Sequence, residues 1–230
     1  TDITAGILAA MGVLAAYVER LKAGRGQRVD TSLFEAGVTQ SFWQAAVTLA
    51  TGVSPGPLGS AHPLTAPYQA FETSDGWITV GGSSQVTWHR LVETVGLPEL
   101  AEDRRFLANA DRMQNVNELA SVLSERFKTR STADWLELLE KGGVPAGPVA
   151  SIGEMLEFPQ TLAREMVVEV EHSKLGPVKT VGFPVKFSET PTSIDRGAPL
   201  LGEHTPEVLA ELGYTEEERE ALIRSGAVRA

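Results

Sequence analysis

Asp2 is the residue whose position in this sequence is best suited to chemistry, because it stands directly before a long alanine-rich segment with helical spacing. Aspartate is a preferred residue at helix N-termini, and its charge favours the positive end of the helix dipole. A purely structural interpretation is that Asp2 caps the helix. A functional interpretation is that the helix holds a carboxylate beside small residues, Ala5 and Gly6 among them, which leave room for a ligand. The local sequence leaves both interpretations open.

Other residues that bind metals or act as nucleophiles are sparse. There is no cysteine, which excludes disulfides, cysteine nucleophiles and thiolate metal sites in this chain. The histidines follow neither a His-x-His nor an HExxH spacing, so we predict no metal site. The chain has no Walker loop and no GxGxxG, and Gly81-Gly82 alone is too short to hold a phosphate. The four histidines are His62, His89, His172 and His204.

A loop rich in glycine and proline, from Ser54 to Ser60, interrupts all regular structure. Its composition fits either a linker or a lid over a site, since such segments serve both roles. His62 follows the loop closely. We expect it either to have a structural role there or to face a substrate.

The elements that position these residues follow from the spacing of apolar side chains. An apolar stripe from Ile7 to Leu21 predicts a long first helix that ends at Gly24, and its many small residues indicate that it is buried. Alternating residues from Gln27 to Leu33 predict a strand. Apolar residues from Leu33 to Thr51 predict a second helix.

The middle of the chain combines a hairpin with helices. Asp75-Gly76 between two β-prone runs predicts the hairpin. Apolar spacings between Gln85 and Lys141 predict three helices, the third capped by Ser131. Beyond it, a short helix from Ser151 to Leu156 precedes two strands, residues 166–170 and 178–181. We expect three tryptophans to lie in the core, since large aromatic side chains normally pack there: Trp77, Trp88 and Trp135.

Composition limits the classes of partner. The 230 residues are 42% hydrophobic and 22% charged, enough for a packed core in one or two domains. The net charge of −10 and the absence of a dense basic patch argue against nucleic acid and membrane partners. The longest largely apolar run, Ile3 to Val18, is shorter than the roughly 20 residues of a spanning helix. No basic segment precedes it as in a signal peptide, so we expect a cytoplasmic protein.

A series of motifs in fixed order carries a family resemblance. They cover essentially the whole chain: Asp2-x-x-x-Gly6, Gly24-Arg25-Gly26-Gln27, Val29-Asp30-x-Ser32-Leu33-x-Glu35, His62-Pro63-x-x-Ala66-Pro67-Tyr68-Gln69, Gly142 to Val149, Gly182 to Ser188, and Pro199 to Thr205. With these motifs the sequence resembles the C-terminal part of the class III CoA-transferase family, also called CaiB/BaiF. That family includes formyl-CoA and carnitine CoA-transferases and the α-methylacyl-CoA racemases.

The resemblance implies an α/β fold in three parts. Residues 1–60 would form the end of a Rossmann-like large domain, and residues 61–185 a small α+β domain. Residues 186–230 would return to the large domain. In the family two chains thread through each other as interlocked rings, so the resemblance implies a homodimer.

The resemblance also implies a chemistry. Asp2 matches the family's catalytic aspartate, which would take part in an aspartyl anhydride and an aspartyl-CoA thioester while CoA moves from an acyl-CoA to a carboxylic acid. Coenzyme A is then a substrate, with no tightly bound cofactor. The loop from Pro57 to Ala61 occupies the place of a glycine-rich loop that covers the site in some members, although only Gly59 keeps that pattern. Candidate substrate-binding residues are therefore Gly59, Ser60, Ala61 and His62.

Two alternatives accompany this interpretation. Racemases of the family have a functional glutamate where this chain has Ser83-Ser84-Gln85, so the sequence favours a transferase over a racemase. The chain starts at Thr1 without an initiator methionine, and the family's CoA-binding residues lie mostly upstream of the catalytic aspartate. We therefore expect an N-terminal half or partner chain to be needed for activity. The other alternative is a non-catalytic C-terminal fragment or subunit.

Overall fold

The chain forms two compact units, residues 1–148 and residues 149–230. The computed structural model describes all 230 residues, and its mixture of helices with two small antiparallel sheets is the expected α/β class. The division into 1–60, 61–185 and 186–230 stays a prediction.

The first helix, α1 (Asp2–Ala23), ends as predicted at Gly24, which has a left-handed conformation with φ +70°. Its predicted burial is wrong, because none of its residues is buried and Leu14 in its apolar stripe is 65% exposed. Only the face that carries small residues packs within this chain. The neighbours on that face are the following helix and Val29, which passes directly over Gly12.

α1 is longer than the apolar run from Ile3 to Val18 that was compared with a membrane-spanning helix. With 22 residues and a mean hydropathy of 1.5 over its most apolar window, it is long and apolar enough to cross a membrane. Core helices of soluble proteins and signal sequences have the same length and composition, so this property is weak evidence for a membrane.

The segment after α1 differs from the prediction in two ways. Residues 25–32 form no strand, since no neighbouring strand in the chain pairs with them. The predicted single helix is divided into α2 (Leu33–Gln40) and α3 (Phe42–Thr51) at Ser41. The backbone N–H of Ser41 bonds to two carbonyls of the preceding turn, which closes α2 before α3 begins.

The predicted hairpin is confirmed. Strands β1 (Tyr68–Glu72) and β2 (Trp77–Gly81) pair antiparallel, with Glu72 opposite Trp77, and β3 (Ala146–Pro148) adds to β2 to give the order β1-β2-β3. Alternate residues of a strand point to opposite faces. Ile78 and Val80 of β2 are buried, so Trp77 faces outward and is 49% exposed, which makes its predicted core position wrong.

The predicted helical region is confirmed and supplies most of the core. After β2 come α4 (Gln85–Val95), a 3-10 turn (Pro98–Ala101), α5 (Asn109–Gln114), α6 (Val116–Phe127) and α7 (Thr132–Lys141). These helices pack on the inner face of the sheet around Trp88 and Trp135, both fully buried as predicted. The largest other apolar side chains of the core are Phe71, Phe106, Phe127, Ile78, Leu91, Leu119, Leu123 and Leu139.

The second unit contains four helices and a separate two-stranded sheet. Its helices are α8 (Ile152–Glu157), α9 (Pro159–Ala163), α10 (Thr205–Glu211) and α11 (Glu216–Arg224). Strands β4 (Val167–His172) and β5 (Gly176–Val181) pair antiparallel. The short helix and the strand pair predicted for this region are therefore confirmed.

Candidate active site

Asp2 is the first residue of α1, and its carboxylate lies exposed at the positive end of the helix. Thr1 takes the N-cap position, and no side chain caps the first turn. The capping role considered from the sequence is therefore not the role of Asp2 in this structure. The Asp2 carboxylate is not hydrogen-bonded to any residue of this chain.

Gly6 lies one helical turn beyond Asp2, on the same face of α1. A methyl group added at Gly6 would meet no atom within 4 Å, whereas one added at Gly12 would lie 2.7 Å from Cγ1 of Val29. Packing within the chain thus accounts for Gly12 and not for Gly6. Glycine inside a helix costs about 0.5–1 kcal/mol relative to alanine. Contacts within this chain therefore give no reason for a glycine at position 6.

The start of α1 is held in place by α2. Gly37 of α2 lies against Thr1, where an added methyl group would be 3.1 Å from Cγ2 of Thr1. One turn further, Gln40 donates a side-chain hydrogen bond to the hydroxyl of Thr4. These contacts fix the position of the helix end that carries Asp2.

The motif Ser32-Leu33-x-Glu35 fixes the start of α2 in turn. Oγ of Ser32 accepts a hydrogen bond from the backbone N–H of Glu35 at 3.2 Å, and the hydroxyl donates to the Glu35 carboxylate at 2.8 Å. This arrangement satisfies an N–H that has no partner inside the helix. The motif that contributed to the family resemblance therefore has a structural role here.

Three of the four candidate loop residues line one groove of about 350 Å³ beside the hairpin. Gly59 does not line it. This glycine has φ +59° and shapes the turn in which the N–H of Ala61 bonds to the carbonyl of Leu58. The groove-lining residues are Ser60, Ala61, His62, Pro63, Tyr68, Gln69, Ala70 and Thr79. These residues form the hairpin groove.

The end of the loop is attached to β1, the edge strand of its sheet. The backbone N–H of His62 donates to the carbonyl of Tyr68 at 2.9 Å, and the N–H of Ala70 donates to Oγ of Ser60 at 3.1 Å. These bonds use groups on the strand edge that would otherwise be free. Residues 60–62 are therefore anchored to the hairpin.

Asp2 does not line the hairpin groove, so the structure does not place all the candidate residues in one cavity. They are linked through the helix pair α2 and α3. The start of α1 packs on α2, while Trp43 of α3 packs edge-on against the His62 ring, with ring centroids 6.1 Å apart. The catalytic role of Asp2 and the binding roles of the loop residues stay predictions.

A second groove, of about 460 Å³, lies beside the hairpin groove and shares Tyr68 and Thr79 with it. Ser83 lines this second groove. Gln85 is occupied elsewhere: its side-chain amide donates to the carbonyl of Leu107 at 2.8 Å and accepts from Arg112 at 3.3 Å. Residues 83–85, Ser-Ser-Gln, supply no carboxylate to this groove.

Arg112 was not identified from the sequence, although it supports both grooves. It is fully buried in α5, and its guanidinium donates to the carbonyls of Ala66 at 2.6 Å, Ser83 at 3.1 Å and Phe106 at 3.2 Å. The guanidinium carbon also lies 5.0 Å from the ring centroid of Trp88. Arg112 thus ties the segment before β1 to the segment after β2.

The electrostatic environment of Arg112 is dominated by burial. Loss of water lowers the pKa of its guanidinium from the usual value, and the nearby Asp111 opposes this effect. Arginine nevertheless stays charged in proteins. Asn109 lies on the same short helix. Its side-chain oxygen accepts a hydrogen bond from the N–H of Ala66 at 3.1 Å, and its side-chain NH2 donates to the carbonyl of Leu64 at 2.9 Å. No sequence pattern marks Arg112 as a buried anchor or Asn109 as its neighbour in this role.

Sequence comparison identifies relatives of the chain. The sequence model of CoA-transferase family III matches residues 1–205. The succinyl-CoA:glutarate CoA-transferase of Homo sapiens is 34% identical over 229 residues, covering 99% of this chain and 52% of the relative. The acetyl-CoA:oxalate CoA-transferase of Acetobacter aceti is 34% identical over 206 residues, covering 88% of this chain and 51% of the relative. The chain spans about half the length of the curated relatives it matches.

Structure comparison agrees with the sequence. A CaiB/BaiF family protein from Brucella suis superposes with a TM-score of 0.77 at 34% identity, covering 92% of this chain and 55% of that protein. The fold expected from the sequence motifs is therefore the observed fold.

Proposed function

The chain belongs to CoA-transferase family III, and on that basis we propose that it is part of an enzyme that moves coenzyme A from an acyl-CoA donor to a carboxylic acid acceptor. The human and Acetobacter relatives are named for CoA transfer between a CoA thioester and an acid. Succinate, glutarate and oxalate are all dicarboxylic acids. We extend the proposal to a short dicarboxylic acid as the substrate class of this protein.

The observation that carries the proposal is the free carboxylate of Asp2 beside the open space at Gly6. A carboxylate is a weak nucleophile, so it needs a fixed position and exclusion of water. The contacts between α1 and α2 supply the fixed position. The open face at Gly6 leaves room for the thioester to approach.

The first half of the reaction uses Asp2 twice. A carboxylate oxygen of Asp2 attacks the thioester carbonyl carbon, the carbon–sulfur bond breaks, and CoA leaves as the thiolate. The product on the enzyme is a mixed anhydride between Asp2 and the acyl group. The thiolate then attacks the Asp2 carboxyl carbon, the bond to the acyl carboxylate breaks, and an aspartyl-CoA thioester remains.

The second half repeats these steps in reverse with the acceptor. Its carboxylate attacks the aspartyl-CoA carbonyl and releases the thiolate, which then attacks the acceptor's carbonyl carbon. The acceptor leaves as its CoA thioester and Asp2 regains its carboxylate. No step is an oxidation or a reduction, and none needs a resident cofactor. Coenzyme A enters only as part of the substrate.

The whole enzyme in this proposal includes an N-terminal half and is a cytoplasmic homodimer. The support for the N-terminal half is the length of the relatives, about twice that of the chain. The exposed apolar stripe of α1 gives further support, because such a surface is favourable when another protein surface covers it.

A racemase is disfavoured by the residues after β2. Ser83 and Gln85 provide no carboxylate, and the amide of Gln85 is hydrogen-bonded to Leu107 and Arg112. A non-catalytic role is disfavoured because the chain keeps both Asp2 and Gly6 of the family motif.

A transferase assay of the full-length gene product tests the proposal, with succinyl-CoA as donor and a panel of carboxylic acids as acceptors. Asp2→Asn should abolish transfer because the amide cannot form the anhydride. Asp134→Asn is the matched control, since Asp134 is also an exposed acid in the first turn of a helix and loses the same dipole interaction. Equal activity of the two variants, or no transfer by the wild type with any acid, would refute the proposal.

Gly6→Ala separates catalysis from folding. Within this chain the added methyl group meets no atom and a glycine is removed from a helix, so the contacts of the chain predict no loss of stability. If the open space admits substrate, transfer should nevertheless fall. A fully active Gly6→Ala variant would show that the space beside Asp2 is not used.

A further inference from the structure

Helix α1 makes one side-chain hydrogen bond to another element, and this bond lies close to Asp2. The side-chain amide of Gln40, the last residue of α2, donates to the hydroxyl of Thr4, two residues beyond Asp2. No other side chain of α1 forms a hydrogen bond or an ion pair with the rest of the chain. The bond between Gln40 and Thr4 is therefore the only directional side-chain contact of the helix that carries Asp2.

The remaining contacts of α1 do not by themselves determine its rotation about the helix axis. Its half-buried residues form one stripe in which every side chain except that of Leu8 is small, and apolar contacts of this kind are non-directional. The one interlocking contact, Val29 over Gly12, lies roughly 15 Å along the helix from Asp2 at about 1.5 Å per residue. The stripe consists of Thr4, Ala5, Leu8, Ala9, Gly12 and Ala16.

The place of Asp2 on α1 makes its carboxylate sensitive to such a rotation. At about 100° per residue, Asp2 lies about a quarter of a turn from the middle of the half-buried stripe, on the flank of the helix. A side-chain atom roughly 5 Å from the helix axis moves by roughly 1 Å when the helix turns by about 10°. A misplacement of about 1 Å can reduce the rate of a reaction about a hundredfold.

Two contacts between α1 and α2 have the same spacing on both helices. Thr1 meets Gly37, and three residues further along each chain segment Thr4 meets Gln40. Residues three apart share a helix face, so this pair of contacts specifies which faces meet. The close contact at Gly37 sets the separation of the helices at this end. The hydrogen bond of Gln40 adds the direction that the apolar stripe lacks.

We propose that Gln40 is a positioning residue for Asp2. Its hydrogen bond to Thr4 sets the rotation of the first turn of α1, and with it the direction in which the Asp2 carboxylate meets the thioester carbon. This inference rests on the proposed function, because it assigns to Gln40 a part in the reaction of Asp2. Gln40 itself touches neither the substrate nor the reacting atoms, and it acts through Thr4 alone.

Substitutions on both sides of the bond separate its role from that of the side-chain bulk. Gln40→Met keeps the length and the helix propensity of glutamine and removes the amide. Thr4→Val removes the hydroxyl and keeps the shape, whereas Thr4→Ser keeps the hydroxyl and should restore the bond. Gln44→Met is the matched control, because Gln44 is exposed on α3 and its side-chain amide has no hydrogen bond in the chain.

The first measurement is kcat and KM for CoA transfer by the full-length gene product, with a thermal melt of each variant. Gln40→Met and Thr4→Val should each lower kcat roughly tenfold to a hundredfold, with KM for succinyl-CoA changed by less than about twofold and Tm close to that of Gln44→Met. Thr4→Ser should keep most of the activity. The double variant Gln40→Met/Thr4→Val should lose no more than either single variant, because both remove the same bond. A wild-type kcat in Gln40→Met, or losses that multiply in the double variant, would overturn the inference.

A second measurement distinguishes this inference from the proposed function, because it does not require turnover. Amide hydrogen exchange, followed by mass spectrometry of peptides from the start of α1, reports on how firmly this helix end is held. Faster exchange in Gln40→Met than in Gln44→Met would support the hold of Gln40 on α1 even in a protein without CoA transfer, a result that would refute the proposed function alone. Unchanged exchange and unchanged kcat in a protein that transfers CoA would refute the positioning role and leave the proposed function standing.

Discussion

Replacement of Arg112 by methionine tests whether the buried guanidinium holds the hairpin in place. Methionine has a similar length and an apolar end, but it cannot donate to the carbonyls of Ala66, Ser83 and Phe106. The contacts with Ala66 and Phe106 lie in the interior, so these two carbonyls would lose their partner away from water. We therefore expect Arg112→Met to be destabilising.

The magnitude follows from the two orphaned carbonyls. Each costs about 1–3 kcal/mol when left without a donor. Replacing the buried cation also removes the cost of transferring the guanidinium from water to the interior on folding. This effect offsets part of the loss of stability. The expected net decrease in the free energy of unfolding is about 3 kcal/mol, and the expected fall in Tm is roughly 6–12 °C for a protein of this size.

Thermal and urea unfolding, followed by tryptophan fluorescence, measure this loss. Trp88 contacts the guanidinium and Trp135 lies in the same core, so the signal reports on the affected unit. Arg104→Met is the control, since Arg104 is exposed and its loss should change stability by less than about 0.5 kcal/mol. If Arg112→Met were as stable as Arg104→Met, the guanidinium would not stabilise the hairpin as we argue.

Three further predictions concern stability. Gly12→Ala should lower the free energy of unfolding by about 1–3 kcal/mol in urea titrations, because the methyl group would displace Val29, whereas Gly6→Ala should not. Asp75→Ala should lower Tm by a few degrees in a thermal melt, because its carboxylate accepts the first N–H of α7 at 2.7 Å; an unchanged melt would contradict this cap. A hydrogen bond from the Arg105 side chain lowers the pKa of Asp103 from 3.8 to about 2, so the stabilising effect of the Asp103 carboxylate should be complete above pH 4 and decrease as the pH falls towards 2. Asp103→Asn should flatten this acid dependence in urea titrations across that range.

The parts of the fold that could be predicted from the sequence are those that depend on neighbours along the chain. Asp75-Gly76 marked the hairpin turn, and Ser131 indeed accepts a hydrogen bond from Asp134 N–H at the start of α7. Apolar residues at helical spacing placed α4, α6 and α7 because the same residues fill the core. In these cases local pattern and tertiary packing agree.

The predictions that were wrong depend on contacts between residues that are distant in the sequence. Residues 27–33 have the alternation of a strand, but a strand needs a partner, and none is adjacent in this chain. The composition of α1 indicated burial, although its large apolar residues have no neighbours in the chain to cover them. Arg112 is recognisable as an anchor only when the segments on either side of the hairpin are brought together.

The residues of the candidate site could be named from the sequence, whereas their contacts could be seen only in the structure. Asp2 was found by its place before a helix and by motif resemblance, and its free carboxylate could be seen only in the structure. Ser60 and His62 were named from the position of the loop. Ser60 accepts a hydrogen bond from the N–H of Ala70 and His62 accepts one from the N–H of Leu64, and no sequence spacing revealed these bonds.

The most direct test of the central claim is to trap the acyl group or CoA on Asp2. The full-length gene product is incubated with succinyl-CoA, treated with hydroxylamine, digested, and analysed by peptide mass spectrometry. The proposed mechanism predicts a hydroxamate on Asp2 that depends on the acyl-CoA and is absent from Asp2→Asn. An unmodified Asp2 in a preparation that transfers CoA would contradict the covalent mechanism.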